Sequence, residues 1–215
     1  MSMGKYISDK YGLKVAAALM AAAALWFIMF SPWTAPRVNF WAAMSCSAAI
    51  LMTLATCFRP GIWRSVRPEW KDLACGILIA AVLWGVFWLG DKVSSFLFGF
   101  ARPQVDMIYG IKGGTSPWLL SALLLLLIGP AEELFWRGYV QNTLSSRWNP
   151  DTGAALTLAA YTLVHVPSMN FMLVMASLTA GAVWGLLYRF FPERLWALVI
   201  SHALWDAAVF VWFPV

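Results

Sequence analysis

Six ionisable residues lie in stretches that are otherwise apolar enough for a bilayer. They are Glu132, Glu133 and Arg137 in one stretch, His165 in the next, and His202 with Asp206 in the last. Both histidines of the chain are among them. An ionisable side chain in hydrocarbon is costly unless it faces a cavity or a partner, so such a set points to a site. Glu133 and Arg137 stand four apart, with the carboxylate on the N-terminal side, which is the spacing of a structural ion pair on one helix face. Glu132 is turned about 100° away from Glu133 and points elsewhere. His202 and Asp206 are again four apart, and a carboxylate so placed can fix the tautomer of the imidazole.

The chemistry open to such a set is hydrolytic. A carboxylate in a water-poor pocket can act as a general base toward water, with one histidine sharing the proton traffic. A second histidine can donate to a developing oxyanion. Glu132, His165 and His202 supply that minimum set for attack of water on a carbonyl. Neither a GxSxG nucleophile elbow nor an HExxH zinc helix competes with it. Two imidazoles and a carboxylate also make a catalytic zinc set. The histidines come from separate segments, and the same residues suffice on water directly, so no metal is expected. Zinc on Glu132, His165 and His202 is the alternative. The other account of the whole cluster is a set of interhelical clamps without chemistry.

The elements that must position these groups are membrane helices. The chain has 215 residues, 61% hydrophobic and 12% charged, against about 45–50% and roughly 25% for a soluble domain. That composition excludes a soluble enzyme and leaves no room for a large soluble domain. It predicts one all-α polytopic membrane domain over 1–215, with membrane lipid as the first partner. Six to eight helices fit the length, and the apolar runs number about seven: Leu13 to Phe30, Val38 to Phe58, Leu73 to Gly90, Pro117 through Glu132 and beyond, Asp151 to Pro167, Phe171 to Tyr188 and Arg194 to Phe213. The first run is too long for a signal-peptide core and is expected to be retained. Gly129-Pro130 is expected to kink the fourth helix. Between Asp91 and Pro117 the Gly, Pro and scattered charges predict an interfacial or re-entrant loop. Within the domain, 1–116 thus supplies N-terminal helices and interfacial loops, and 117–213 carries the chemistry.

At about 1.5 Å per residue, Glu132 and His165 lie roughly 22 Å into their helices, and His202 and Asp206 about 12 and 18 Å into theirs. Alternate helices run in opposite senses, so all four can meet near mid-bilayer around one polar cavity. Under the seven-span scheme eleven Lys and Arg fall on the N-terminal side, among them Lys5, Lys10, Lys14, Arg67 and Arg137, and four on the other. This asymmetry predicts the N-terminus in the cytoplasm and the C-terminus outside. Basic runs interleaved with stacking aromatics are missing, so no nucleic-acid partner is expected. Cys46, Cys57 and Cys75 read as small buried hydrophobes, Trp33, Trp63, Trp70, Trp118, Trp148, Trp196 and Trp212 as interface anchors, and Met169, Met172 and Met175 as packing.

The strings carrying the chemistry resemble a known family. Glu132-Glu133-Leu-Phe-Trp-Arg137 resembles an EExxxR motif, Tyr161-Thr-Leu-Val-His165 an FxxxH motif, and His202-Ala-Leu-Trp-Asp206 an HxxxN/D motif. These are the three signatures of the CPBP intramembrane proteases, also called the ABI or CAAX-protease family, which includes Rce1-like prenyl endopeptidases. The resemblance implies a glutamate-type intramembrane endopeptidase in which Glu132 and His165 activate water. His202 and Asp206 would then serve the oxyanion, with Glu133 and Arg137 supporting the structure. It implies a peptide or protein substrate that is membrane-anchored or carries a C-terminal processing segment. Two residues depart from the family pattern. Tyr161 replaces the usual Phe and brings a hydroxyl that needs a partner if buried. Asp206 stands where Asn is usual; an ionised carboxylate would repel an oxyanion, so it is expected either to be protonated or to act by orienting His202. A non-catalytic scaffold or immunity protein of the same fold is the other reading.

Overall fold

The computed structural model describes residues 3–65 and 68–215, with the backbone alone for residues 3–11 and 65. Arg67 and the side chains of Lys5 and Lys10 therefore lie outside the described residues. All regular structure among the described residues is helical. Helix α1 is Met3–Phe30, α2 Phe40–Phe58, α3 Trp70–Leu97 and α4 Ala101–Gly110. Helix α5 is Pro117–Arg147, α6 Pro150–Leu163, α7 Phe171–Phe190 and α8 Leu195–Ala207, the last running on as a wide turn to Trp212.

Local sequence explains where these helices begin. Asn39, Asn149 and Asn170 precede α2, α6 and α7, and each side-chain oxygen accepts an otherwise orphaned amide of the first turn, from Ala42, Thr152 and Leu173. Pro117 and Pro150 occupy first-turn positions, where a missing N–H costs nothing. At the start of α3, Asp72 accepts the Glu69 amide at 2.9 Å.

Among the described residues six helices are long and apolar enough to cross a membrane, within the expected six to eight, and the chain is an integral multi-pass membrane protein. The fifth expected crossing is the short one. Helix α6 has 14 residues, about 21 Å, less than the roughly 30 Å of hydrocarbon. Its start is nevertheless tied to the end of α7, where Arg189 meets Asp151 at 2.6 Å. The turn that follows it reaches Trp26 and Phe30 at the end of α1. The chain thus passes back and forth between two ends of the bundle. Lys14, Arg59, Arg147, Asp151, Arg189 and Arg194 gather at one end. Arg102, Lys112 and α4 gather at the other. Arg137 was assigned to the first set from the sequence, yet it is buried inside the bundle at 1% exposure. The reason is its pairing with Glu133. Helices α3 and α8 run parallel, clipped where Arg194 reaches Glu69 at 2.7 Å and Asp72 at 3.3 Å. The hydrogen bond and charge of Arg194 hold the Glu69 carboxyl below its usual range.

The stretch from Asp91 to Pro117 is not the expected loop. Helix α3 continues to Leu97, and Ala101–Gly110 forms α4. Pro103 falls in the first turn of α4, where it is tolerated, and Arg102 pairs with Asp106 four residues on at 2.8 Å. Gln104 bonds the start of α7 through Asn170 Nδ2 and Met172 N, so α4 is a short capping helix over one end of the bundle. The cysteines also differ from expectation. Cys46, Cys57 and Cys75 are all exposed on outward helix faces, because in lipid an apolar residue need not be buried in protein. Trp33, Trp63, Trp70, Trp118, Trp148 and Trp212 are exposed near element ends, as anchors should be.

Helix α5 is unusual in its interior. Two wide, π-type stretches, Leu124–Ile128 and Leu134–Gln141, bracket the ordinary turn Gly129–Glu133. Pro130 cannot donate to the helix ladder and its ring crowds the carbonyl four residues back. Widening the preceding turn relieves this, and the Gly129 amide bonds Leu124 O, five residues back. Gly129 has a second role. A Cβ there would lie 2.6 Å from Ala203 Cα on α8, so the missing side chain is what lets the two backbones touch. Glu132 and Glu133 are thereby brought against His202. Gly129→Val should force α5 and α8 apart and cost about 1–3 kcal/mol by overpacking. A lowered unfolding midpoint in detergent would show this, whereas an unchanged midpoint would mean that the contact can relax without cost.

Candidate active site

The ordinary helical turn Gly129–Glu133 leaves the two consecutive glutamates on different faces. Glu133 turns into the bundle, fully buried, and accepts from Arg137 Nη1 at 2.6 Å and from His202 Nδ1 at 2.9 Å through one oxygen, Oε1. Glu132, also buried, faces a cavity and accepts from the Tyr161 hydroxyl at 3.3 Å. The expected divergence of the pair is therefore present. Glu133, however, does more than balance Arg137, because it also holds one nitrogen of the site histidine.

Arg137 ties four helices together. Its guanidinium lies between the rings of Tyr161 on α6, 5.0 Å away, and Trp184 on α7, 5.5 Å away. It donates to Gly181 O of α7 at 3.2 Å and pairs with Glu133. Through Glu133 it reaches His202 on α8. Gly181 is again a close approach, since a Cβ there would meet Tyr161 Cδ1 at 2.8 Å.

His202 is held on three sides. Its Nδ1–H donates to Glu133, its Nε2 lies 3.5 Å from Asp206 Oδ2, and its ring stacks on Trp184 with centroids 3.9 Å apart and planes 17° from parallel. The Trp184 indole N–H donates to Ser201 on α8 at 3.1 Å, which fixes the stacking surface. The tautomer of His202 is set by Glu133, the closer carboxylate, rather than by Asp206. Asp206 is placed opposite the nitrogen that remains.

His165 stands apart from the other three. It follows the end of α6 and precedes a short turn, Val166–Ser168. Its Nδ1–H donates to Tyr161 O at 2.7 Å, and its Nε2 accepts from the Trp26 indole N–H at 3.1 Å. Tyr161 links the site's two halves, with its hydroxyl on Glu132 and its carbonyl on His165. The hydroxyl that the sequence left in need of a partner thus has one.

Glu132, Tyr161, His165, His202 and Asp206 all line one cavity of about 410 Å³. Its remaining wall is mostly apolar and includes Phe30, Phe40, Trp41, Phe87, Phe171 and Met172. Met172 and Met175, expected as packing, are part of this wall. So are Asp91, paired with Arg102 at 3.2 Å, and Trp26. Neither wall residue was singled out from the sequence. Asp91 looked like the end of an apolar run, and Trp26 was one aromatic in another.

The fit of a metal can be judged from the donors. Among the described residues no three His, Cys, Asp or Glu are grouped so as to hold an ion. Both nitrogens of His165 and Nδ1 of His202 are engaged in hydrogen bonds. In this arrangement Glu132, His165 and His202 do not present a zinc set.

Comparison with known proteins adds one finding. No curated protein and no solved structure matches the chain. Residues 114–208 match the family model described as type II CAAX prenyl endopeptidase Rce1-like. The matched segment takes in Glu132, Glu133, Arg137, His165, His202 and Asp206, so these six residues lie in the part of the chain that is similar to that family.

Proposed function

We propose that the protein is an intramembrane endopeptidase of the CAAX-protease type, acting through Glu132 and water. The observation that carries this reading is the cavity itself. It sets a buried carboxylate, without an ion pair among the described residues, beside a histidine whose orientation is fixed by a second carboxylate, and the rest of its wall is mostly apolar. Glu132 takes the proton of a water as its oxygen attacks the carbonyl carbon, and His165 shares that proton once its Nε2 is free. The negative charge that develops on the carbonyl oxygen is met by a proton held between His202 Nε2 and Asp206. As the C–N bond breaks, the proton taken by Glu132 passes to the leaving amine. No metal takes part in any of these steps.

The apolar wall suits a substrate whose scissile bond lies next to a lipid-like or apolar segment. A prenylated CAAX tail, of the kind named in the family's description, and a C-terminal sorting peptide both have that character. The collection of cations at one end of the bundle supports an orientation with that end, and the N-terminus, in the cytoplasm. The capped lone pair of His165 favours the other reading, a non-catalytic scaffold of the same fold.

Purified protein in proteoliposomes, given a panel of membrane-anchored reporters with a prenylated CAAX tail or a hydrophobic sorting peptide, decides between the two readings. The endopeptidase gives two fragments whose masses sum to reporter plus one water. Intact reporter throughout the panel, from protein shown to be folded, leaves the scaffold.

A further inference from the structure

The histidine expected to help activate water is closed off by a residue from outside the matched segment. Trp26 belongs to α1, is 1% exposed, and its indole N–H donates to His165 Nε2 at 3.1 Å. The other ring nitrogen, Nδ1, carries the proton that goes to Tyr161 O. A neutral imidazole has one lone pair for accepting a proton, and here that pair is already occupied. The indole is itself held by packing: its ring meets Trp136 on α5 edge-on at 6.4 Å and His165 edge-on at 6.0 Å. Trp26 and His165 both border the 410 Å³ cavity, so whatever enters that cavity meets the contact between them.

We propose that Trp26 is a positioning residue that caps the Nε2 lone pair of His165, and that entry of substrate into the cavity displaces the indole and releases the base. This rests on the endopeptidase reading given above. The N-terminal helices thus supply part of the site and do more than serve as its wall. The cap keeps His165 in a single tautomer while the cavity is empty, and it makes use of the base conditional on an occupant.

The test is direct because the chain has two histidines, each on a different peptide. Diethyl pyrocarbonate acylates an unprotonated imidazole nitrogen with a free lone pair. The full chain in detergent is treated at fixed pH, and modification of His165 and of His202 is followed separately by mass. Trp26→Phe removes the N–H donor and keeps most of the ring. It is expected to speed modification of His165 several-fold and to leave His202 unchanged. Equal rates at His165 in the wild type and the variant would overturn the proposal. So would an equal rise at both histidines, which signals a loosened bundle. Trp26→Leu gives the same comparison should the phenylalanine variant fail to fold. On a cleavable reporter, Trp26→Phe should raise kcat/KM by about three- to tenfold, the worth of one hydrogen bond that no longer has to break. A fall in kcat/KM would mean that the indole aids the reaction instead of capping it. The modification result does not depend on turnover. A chain that fails to hydrolyse any reporter yet shows selective unmasking of His165 refutes the endopeptidase reading and leaves the cap in place.

Discussion

Glu132→Gln is expected to lower turnover of a cleavable reporter by about a hundred- to ten-thousandfold, the usual contribution of a general base. The substitution preserves size and leaves an amide oxygen to accept from Tyr161, so the contact at 3.3 Å can persist. Glu132 makes no ion pair among the described residues, so removing its charge leaves no partner stranded there, and the unfolding midpoint should stay close to that of the wild type. The combination is what discriminates. A structural carboxylate would give the reverse result, a destabilised protein that is still active in proportion to its folded fraction. Activity within about tenfold of wild type, in a variant that folds normally, would remove Glu132 from the base role, since that loss is below what a general base contributes.

The sequence displays this site clearly, because ionisable residues are rare in membrane helices and their cost makes each one informative. All six residues singled out on that ground are buried in the bundle. Helical spacing also separated Glu132 from Glu133 and joined Glu133 to Arg137. The helix count and the Gly129-Pro130 interruption were legible for equally simple reasons of length and missing N–H. Three features were not legible. Glu133, rather than Asp206, fixes the tautomer of His202, because that contact is set by the Gly129 to Ala203 approach between α5 and α8, and a crossing between distant segments leaves no periodic trace. Trp26 could not be chosen from among 14 tryptophans, since a capping indole and an anchoring indole have the same composition. Helix α4 was missed because its Gly and Pro neighbours resemble loop signals, and Pro103 is tolerated only through its place in the first turn.

Arg137→Met is expected to destabilise the protein by about 3–5 kcal/mol, the cost of leaving one member of a buried ion pair uncompensated. Arg137 and Glu133 are both buried, at 1% and 0% exposure, so the Glu133 charge lies away from bulk solvent. The substitution also removes the cation between the rings of Tyr161 and Trp184 and the donor to Gly181 O, so α5 loses one tie to α6 and two to α7. A double-mutant cycle separates these losses. In Glu133→Gln with Arg137→Met the stranded charge is gone, and the Gln amide oxygen can still accept from His202 Nδ1. The double variant should therefore recover most of the stability lost by Arg137→Met alone, because a buried pair replaced as a unit is often close to neutral. Equilibrium unfolding in micelles of fixed composition measures all four corners of the cycle. If the double variant is no more stable than Arg137→Met, the ring and carbonyl contacts dominate and Arg137 acts chiefly as a packing post. If it recovers, Arg137 is there chiefly to hold the Glu133 charge in place, and with it the orientation of His202 toward the cavity.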